Sequence, residues 1–235
     1  MMSILVLVLS SFANDGGYQF DSDVPLEIQK QITTDLIFIK TLKGSVGSSL
    51  HQQIFKGPTA TQNLGVTYDK FFSSHMNQIG LDDCGNPNAV ACVKPTWFTH
   101  RKLNLTHHYI QDHIPQIARL SILFHEARHG ELSHGGWTHA KCPKPFLDSR
   151  GQPKKSIYTG APLEGEPACD KTPLGSYGLA IVMLKNIQKN CTNCNSKIKM
   201  DAELYGDDQM GRIIDSGATA QLRQDLYARN TTRAK

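Results

Sequence analysis

The chain has 235 residues, of which 39% are hydrophobic, 20% are charged and 8% are aromatic. This composition supplies enough apolar material for one folded core and too little charge for a disordered tail, so a single domain is expected. The formal charge of +4 is mildly basic, and because no run of Lys and Arg stands out, the pattern does not favour nucleic acid as a partner.

Residues 1–13 contain a short apolar run and no charge. The run is too short to span a bilayer as a helix, and Ser11 and Ala13 are small residues at the −3 and −1 positions of a possible cleavage site. We therefore expect a signal peptide at 1–13, although its usual basic start is missing; a buried first strand or helix is the alternative. Residues 14–235 then form one domain that is secreted or periplasmic, with no stable membrane insertion.

The elements before residue 112 are predicted from hydrophobic periodicity. Pro25 opens a helix that extends to about Lys43, a loop-rich section follows, and a second helix is expected over residues 68–79. The sequence pattern of residues 89–93 and 102–110 predicts two short strands.

The next helix is predicted to have Asp112 as its cap and Pro115 in its first turn, and to end at Gly130. Residues 140–175 hold six prolines, which predicts an irregular segment of a functional or disulfide-linked kind. Further helices are expected over residues 177–189, 200–214 and 218–228. The whole pattern indicates an α+β domain with a small sheet packed on several helices.

The six cysteines agree with export, because an even number behind a signal-like start indicates disulfides. Six cysteines allow fifteen pairings, and the sequence does not choose among them. Pairing of neighbours along the chain is our expectation. A redox-active or zinc-binding role for the last pair, in the segment CTNC, is the less favoured alternative.

Histidine carries the strongest functional signal. Eight of the ten histidines fall within residues 100–139, which suggests a metal site, although a surface tolerant of histidine would give the same clustering. His125-Glu126-Ala127-Arg128-His129 is an HExxH motif on the predicted helix, so positions 125 and 129 lie one turn apart on one face and both imidazoles can meet one ion. Zn²⁺ suits such ligands, and Glu126 beside it can take a proton from an activated water.

These residues make the chain resemble the zincin metallopeptidases over residues 117–130. More loosely, the whole chain resembles small exported bacterial proteins that carry a HEARH helix followed by an ACD…SYG segment. The resemblance implies a zincin-like fold, a zinc cofactor and a protein or peptide substrate.

The third ligand distinguishes the branches of the zincins, and the chain departs from the familiar ones. Leu132 and Gly135 stand where the metzincin pattern needs Gly and His. Glu164 and Glu166 lie in a Gly/Pro-rich segment rather than on the later helix of the gluzincin pattern. Leu174 stands where the aspzincin pattern has its Asp.

The closest remaining arrangement is the SprT-like one, in which a loop after the motif returns a histidine. His139 would be that ligand, with Gly135 and Gly136 giving the backbone its freedom to turn. Asp170 is the next candidate, or else an acceptor that orients a ligand histidine or caps a helix. His134 and the two glutamates of the Gly/Pro-rich segment, Glu164 and Glu166, are the others.

Several other residues carry weaker signals. Tyr177 could donate a hydrogen bond to an oxyanion, although packing on a helix face is the simpler expectation. Arg128 and Glu131 are expected to form a solvated pair, and Trp97 and Trp137 to pack. The remaining histidines of the cluster are expected at the surface or at a sheet edge: His100, His107, His108 and His113.

The leading hypothesis is a secreted or periplasmic zinc metallopeptidase in which His125, His129 and His139 hold Zn²⁺ and Glu126 is the general base. One alternative directs the same site at cell-wall peptides or another amide. The other is a non-catalytic, metal-stabilised binding protein. The last is disfavoured because closed structural zinc sites usually have four protein ligands, and because Glu126 has no evident structural role.

Overall fold

The structure is a computed structural model that describes residues 17–45, 47–55, 63–94 and 96–227. These residues form an α+β fold in which one small mixed sheet packs on helices, as expected from the sequence. The predicted signal peptide at 1–13 lies outside the described residues. The strands are β1 (Gln19–Phe20), β2 (Gln78–Leu81), β3 (Ala91–Val93) and β4 (Lys102–Leu105). The helices are α1 (Leu26–Thr41), α2 (Ser49–Phe55), α3 (Leu64–His75), α4 (His107–Gln111), α5 (Gln116–His129), α6 (Ser176–Asn190), α7 (Ser196–Met210) and α8 (Ser216–Tyr227).

The sheet has the strand order β1-β2-β4-β3. The first three strands in this order are parallel, and β3 runs antiparallel to β4 at the edge. Ile79 of β2 and Leu103 of β4 are register partners and both are fully buried, which anchors the centre of the sheet in the core. The edge strand β3 lies against α5, so the sheet places a strand edge beside the helix that carries the HExxH motif.

Helix α5 lies in the middle of the core. Leu120, Leu123 and Phe124 are fully buried, and the Phe124 ring stacks on that of Phe71 in α3 at a centroid distance of 6.0 Å. The Asp35 carboxylate of α1, which is also buried, accepts two hydrogen bonds from the Arg119 guanidinium at 2.7 and 2.8 Å. The motif therefore lies on a helix that both apolar and polar contacts hold in place.

Three elements differ from the prediction in the first half of the chain. The second helix is Leu64–His75 rather than 68–79, because Ile79 belongs to β2 and its apolar neighbourhood is a strand rather than a further turn. The strand predicted over 102–110 ends at Leu105, because Thr106 caps α4 by accepting a hydrogen bond from the His108 N–H. The section expected to be loop contains α2.

The later helices agree with the prediction better than the elements in the first half of the chain do. Helix α5 ends at His129 with Gly130 as its C-cap, as expected, but the Asp112 cap is wrong: Asp112 terminates α4, and Pro115 occupies the N-cap of α5. Helices α6 and α8 match their predicted ranges within two residues at each end. Helix α7 begins four residues before its predicted start because the Asn195 side chain accepts a hydrogen bond from the Ile198 N–H.

All six cysteines form disulfides between neighbours along the chain, which confirms the expected pairing: Cys84–Cys92, Cys142–Cys169 and Cys191–Cys194. Residues 140–175 contain isolated β-bridges and turns but no helix, as predicted. Across the described part of the chain, no helix combines the length and the apolar character needed to cross a bilayer.

Candidate metal site

Three histidine side chains converge beside α5. The Nε2 atoms of His125 and His139 are 3.1 Å apart, those of His129 and His139 are 3.2 Å apart, and those of His125 and His129 are 3.3 Å apart. Zn–N bonds of about 2.0–2.1 Å can reach a common point from nitrogens at this spacing. The three residues can thus hold a metal ion, and they include His139, the residue we expected as third ligand.

The protonation pattern of two of these rings also fits a cation. His129 Nδ1 donates to the Gly136 carbonyl at 2.6 Å, and His139 Nδ1 donates to Asp170 Oδ1 at 2.8 Å. A neutral imidazole has one N–H, so each Nε2 then presents a lone pair to the other two rings. Burial, aided by the neighbouring His139, lowers the pKa of His129 to about 4, which keeps this ring neutral. Lone pairs facing one another repel unless a cation lies between them.

The segment that follows α5 returns His139 to the helix. Gly135 and Gly136 have φ values of 61° and 67°, and Trp137 follows with φ 49°. Glycine adopts this left-handed conformation readily, whereas a tryptophan there is strained. The expected role of the two glycines is confirmed, and the strained Trp137 needs support from its surroundings.

That support comes from a buried polar network. Trp137 Nε1 donates to Glu131 Oε2 at 2.9 Å, Arg128 Nη1 donates to Glu131 Oε1 at 2.6 Å, and the Arg128 guanidinium lies 4.4 Å from the Trp137 ring centroid. Burial opposes ionisation of Glu131, but hydrogen bonds from His75 and Trp137 and the charge of Arg128 together lower its pKa to about 2. Our expectation of a solvated Arg128–Glu131 pair is wrong, because both residues are buried and Arg128 also donates to the Leu174 carbonyl.

Asp170 is a buried acceptor and not a member of the histidine cluster. One carboxylate oxygen accepts from His139, and the other accepts from the Tyr177 N–H at 2.9 Å near the start of α6. It thus acts as a histidine acceptor, one of the roles that were the alternative to ligation; the N-cap of α6 is Gly175, although Asp170 also accepts from a first-turn N–H of that helix. A Cβ atom at Gly175 would lie 2.4 Å from Asp170 Oδ2, so this position has room only for glycine.

The disulfide Cys142–Cys169 holds this acceptor and its histidine together. Cys169 directly precedes Asp170, and Ala140, which directly follows His139, forms a two-way backbone bridge with Cys169 at N–O distances of 2.7 and 3.1 Å. Ligand and acceptor therefore lie on two chain segments that are cross-linked immediately beside them.

A cavity of about 170 Å³ opens beside the cluster. Its lining comes from the edge strand and the residues before it, from the second half of the irregular segment, and from the helices. Glu126 lines it next to His125 and is buried. This burial raises the pKa of Glu126 to about 8, against a backbone hydrogen bond from Val93 that lowers it. A metal ion in the cluster would face a carboxyl group and an accessible space.

Tyr177 lies over the cluster from the side of α6. Its ring centroid is 4.5 Å from that of His125 and 4.7 Å from that of His139, so it packs, as expected, although on the candidate ligands themselves. Its hydroxyl accepts a hydrogen bond from Arg212 Nη1 at 2.7 Å. Burial raises the pKa of Tyr177, which keeps the phenol protonated.

The other candidates lie outside the cluster. His134 is exposed and stacks on Trp137, Glu164 is exposed, and Glu166 lines the cavity without joining the three rings. Trp97 does not pack, because 78% of it is exposed. The remaining histidines are exposed or half-buried, as expected: His100, His107, His108 and His113.

Sequence analysis missed Arg212, and also Ser121, Tyr158 and Gln209, which line the same cavity. They come from three distant parts of the chain. Only the position of Ser121, one turn before His125 on the same helix face, can be inferred from the spacing.

A second group of possible ligand atoms, Asp82 with Cys84 and Cys92, has both of its sulfur atoms in a disulfide and offers no thiolate.

Comparison of the chain with protein-family models, with curated proteins and with solved structures finds no match in any of the three.

Proposed function

We propose that the protein is a zinc-dependent metallopeptidase with a zincin-like fold. The observation that carries the proposal is the convergence of His125, His129 and His139 within 3.3 Å, with Glu126 beside them in a cavity. Three imidazoles and an accessible fourth position are typical of catalytic zinc, whereas structural zinc has four protein ligands.

The arrangement of the sheet supports the zincin-like fold. The edge strand β3 is antiparallel to its neighbour and lies against the motif helix, and Ala91 of that strand lines the cavity. Within the described residues β3 has a strand on one side alone, so its outer edge could pair with an extended peptide at positions other than the Val93 N–H, which is bonded to Glu126. A peptide bound in this way would pass over Glu126.

Zinc in this site would act as a Lewis acid on the scissile carbonyl group and on a water molecule. The charge of a bound cation would lower the raised pKa of Glu126, so that its carboxylate would accept a proton of the attacking water and pass it to the leaving amide nitrogen. Tyr177 already accepts a hydrogen bond from Arg212, which leaves the phenol proton free to donate to the carbonyl oxygen of the substrate. Asp170 and the Gly136 carbonyl orient the rings of His139 and His129.

The compartment belongs to the same proposal. Three disulfides are typical of proteins that fold in an oxidising environment, which is consistent with secretion or a periplasmic location.

The test compares the wild-type protein with Glu126→Gln and His129→Ala. Purified wild type should contain about one zinc per chain and cleave an unstructured protein such as casein. Glu126→Gln should keep its zinc and lose hydrolysis by at least about a hundredfold, because it removes the base and no ligand. His129→Ala should lose the zinc.

Glu131→Gln is a poor control because Glu131 supports the His139 loop; Glu203→Gln, an exposed residue of α7, changes one carboxylate without touching the site. Wild type without bound metal would refute the proposal. A zinc-loaded protein that cleaves neither casein nor cell-wall peptides would instead favour the non-catalytic binding protein.

A further inference from the structure

The proposed hydrolysis leaves several polar side chains of the cavity lining unused for chemistry at the metal, Glu166 among them, and four others form one group. They are Ser121 of α5, Tyr158 of the irregular segment, Gln209 of α7 and Arg212, and we call them the polar floor. Ser121, Gln209 and Arg212 are each 4% exposed or less. Buried polar groups normally have hydrogen-bond partners, so an unpaired member needs a reason.

Arg212 is that unpaired member. Its Nη1 donates to the Tyr177 hydroxyl, whereas Nε and Nη2 are buried without a hydrogen-bond partner in the described structure. The rest of the polar floor is paired internally: Gln209 Nε2 donates to the Tyr158 hydroxyl at 3.4 Å, and the Tyr158 and Ser121 hydroxyls share a hydrogen bond. Arginine has five N–H donors in a planar fork that matches a carboxylate.

The charge of Arg212 is only partly neutralised, although the guanidinium also lies 4.9 Å from the centroid of the Tyr177 ring. Among the described residues the nearest carboxylate is that of Asp208, whose Oδ2 lies 4.0 Å from Arg212 Nε. Asp208 pairs with Lys154 through Oδ1, which lies 3.4 Å from Lys154 Nζ, while its Oδ2 is buried without a hydrogen-bond partner, so Asp208 is shared by two cations and makes no hydrogen bond to Arg212. Burying a guanidinium that shares its counter-ion with a second cation costs free energy, and an anionic ligand bound beside Arg212 would lower this cost.

The polar floor begins one helical turn from the histidine cluster, a distance that a neighbouring residue of a bound peptide can span. Ser121 precedes His125 by one helical turn on the same face, a rise of about 6 Å. Consecutive Cα atoms in a peptide are about 3.8 Å apart, so a carboxylate on the residue next to the cleaved bond can reach that far.

We propose that Arg212 and the polar floor form a specificity subsite that binds a carboxylate group of the substrate, located one residue from the bond at the histidine cluster. The position of that bond rests on the proposed function. The binding of a carboxylate by Arg212 does not, because it requires no metal and no hydrolysis.

The test uses metal-free protein, propionate and propionamide, which have the same shape but differ in charge. We expect the ¹⁵N–¹H resonance of Arg212 Nε to shift on titration with propionate, with an affinity at least about tenfold above that for propionamide, because charge-assisted hydrogen bonds to a guanidinium are strong. The resonance is assigned from its absence in Arg212→Gln.

Because Arg212→Gln could fail to fold, the decisive variant is Gln209→Glu. It places a carboxylate three residues before Arg212, within reach of the guanidinium, and should abolish the propionate response while the Arg212 resonance remains. Gln224→Glu, an exposed position of α8, makes the same change in charge and should leave the response intact.

Two peptide pairs identify the source of the carboxylate. Acetyl-Ala-Ala is compared with its carboxy-terminal amide, and acetyl-Ala-Glu-amide is compared with acetyl-Ala-Gln-amide. A response to the first acid indicates recognition of a chain terminus, and a response to the second indicates an acidic side chain. No response to propionate in the wild type, or an undiminished response in Gln209→Glu, would overturn the proposal, whereas failure of casein hydrolysis alone would not.

Discussion

At the scale of single residues, the site depends on acceptors as much as on the three rings. Asp170 accepts from His139 through one oxygen and from the Tyr177 N–H through the other, so a single carboxylate sets both the ring orientation and the start of α6. Because Asp170 is buried, water cannot replace either of these hydrogen-bond donors. A group of this kind is expected to influence metal affinity without touching the metal.

Asp170→Asn tests this role. Asparagine keeps the shape but offers one acceptor oxygen instead of two, so the histidine and the helix N–H compete for it. We expect zinc affinity to fall about 10- to 100-fold, as measured by competition with a chromogenic chelator. Asp215→Asn is the matched control, because Asp215 accepts from the Ala218 N–H at the start of α8 and should leave zinc affinity unchanged. Equal affinities in Asp170→Asn and wild type would contradict the role.

A second residue-scale effect concerns acid stability. His51 is fully buried beside Tyr68, and burial lowers its pKa to about 4, although Asp225 acts in the opposite direction. Between about pH 6.5 and 4 the unfolded chain therefore binds the proton that the folded protein excludes, so the stability contributed by His51 is full above about pH 6.5 and falls as pH falls. The loss below about pH 4 is about 3 kcal/mol at most.

His51→Gln removes this titration. The free energy of unfolding, measured with urea at several pH values, should fall more steeply from about pH 6.5 to about pH 4 for wild type than for the variant. Other titrating groups cancel in the difference between the two proteins. Parallel curves would show that His51 takes no part in acid unfolding.

At the scale of elements, the irregular segment 140–175 acts as a part of the site and not as a spacer. Its first residue, Ala140, forms the backbone bridge with Cys169 near its other end, one residue from His139 on one side and one residue from Asp170 on the other. Between these ends the chain makes turns and isolated bridges, so few backbone hydrogen bonds fix its course. The disulfide therefore compensates for missing secondary structure.

Replacing Cys142 and Cys169 by serine should release both ends of the segment. The loop closed by this disulfide has a sequence separation of 27, for which chain entropy predicts a stability loss of about 3–4 kcal/mol. Zinc affinity should fall as well, since His139 would no longer be held at hydrogen-bonding distance from Asp170. The double replacement of Cys191 and Cys194, with a separation of 3, is the comparison, and it should spare zinc affinity. Unchanged zinc affinity in the first variant would show that the backbone bridge alone holds the site.

The sequence predicts elements well where the apolar stripe is long, as in α5 and α6, and Gly130 also marks the end of α5 correctly although the Asp112 cap is wrong. It fails where an apolar run is short: Ile79 fits a helix stripe equally well, and only pairing with Leu103 of β4 makes it a strand.

The site follows the same rule. His125, Glu126 and His129 can be predicted because one helix spaces them, and His139 because glycines precede it. Arg212 cannot, because no motif or spacing connects it with α5: it lies just beyond the end of α7 and reaches the cavity only through the tertiary fold.

At the scale of the whole molecule, the candidate metal site joins parts of the chain that are distant in sequence. Helix α5 supplies His125 and His129, the returning loop supplies His139, and the first turn of α6 donates a hydrogen bond to the acceptor of that histidine. An ion bound by all three rings would therefore act as a cross-link within the fold. Its binding energy would add to the stability of the folded state, because the unfolded chain does not hold the rings together.

Zinc removal should accordingly lower the thermal unfolding midpoint. At a free zinc concentration of about 1,000 times the dissociation constant, binding contributes about 4 kcal/mol to the free energy of unfolding. Hydrogen exchange should locate the effect, with faster exchange after chelation in residues 132–140 and 170–177 and little change in α1 and α3. His139→Ala, measured with and without chelator, is the control and should show no difference. Uniform exchange changes across the molecule would contradict a local cross-link.

Gly175 illustrates how far such a site restricts the rest of the chain. It carries no functional group, yet a single added carbon would collide with the carboxylate that orients His139. Gly178 is restricted by the backbone instead, because a Cβ atom there would lie 2.0 Å from the Pro173 carbonyl oxygen. Among functional variants of this protein, these two glycines should therefore tolerate replacement as poorly as the histidines do, and a map of mutational tolerance would outline the space around the site as well as its chemistry.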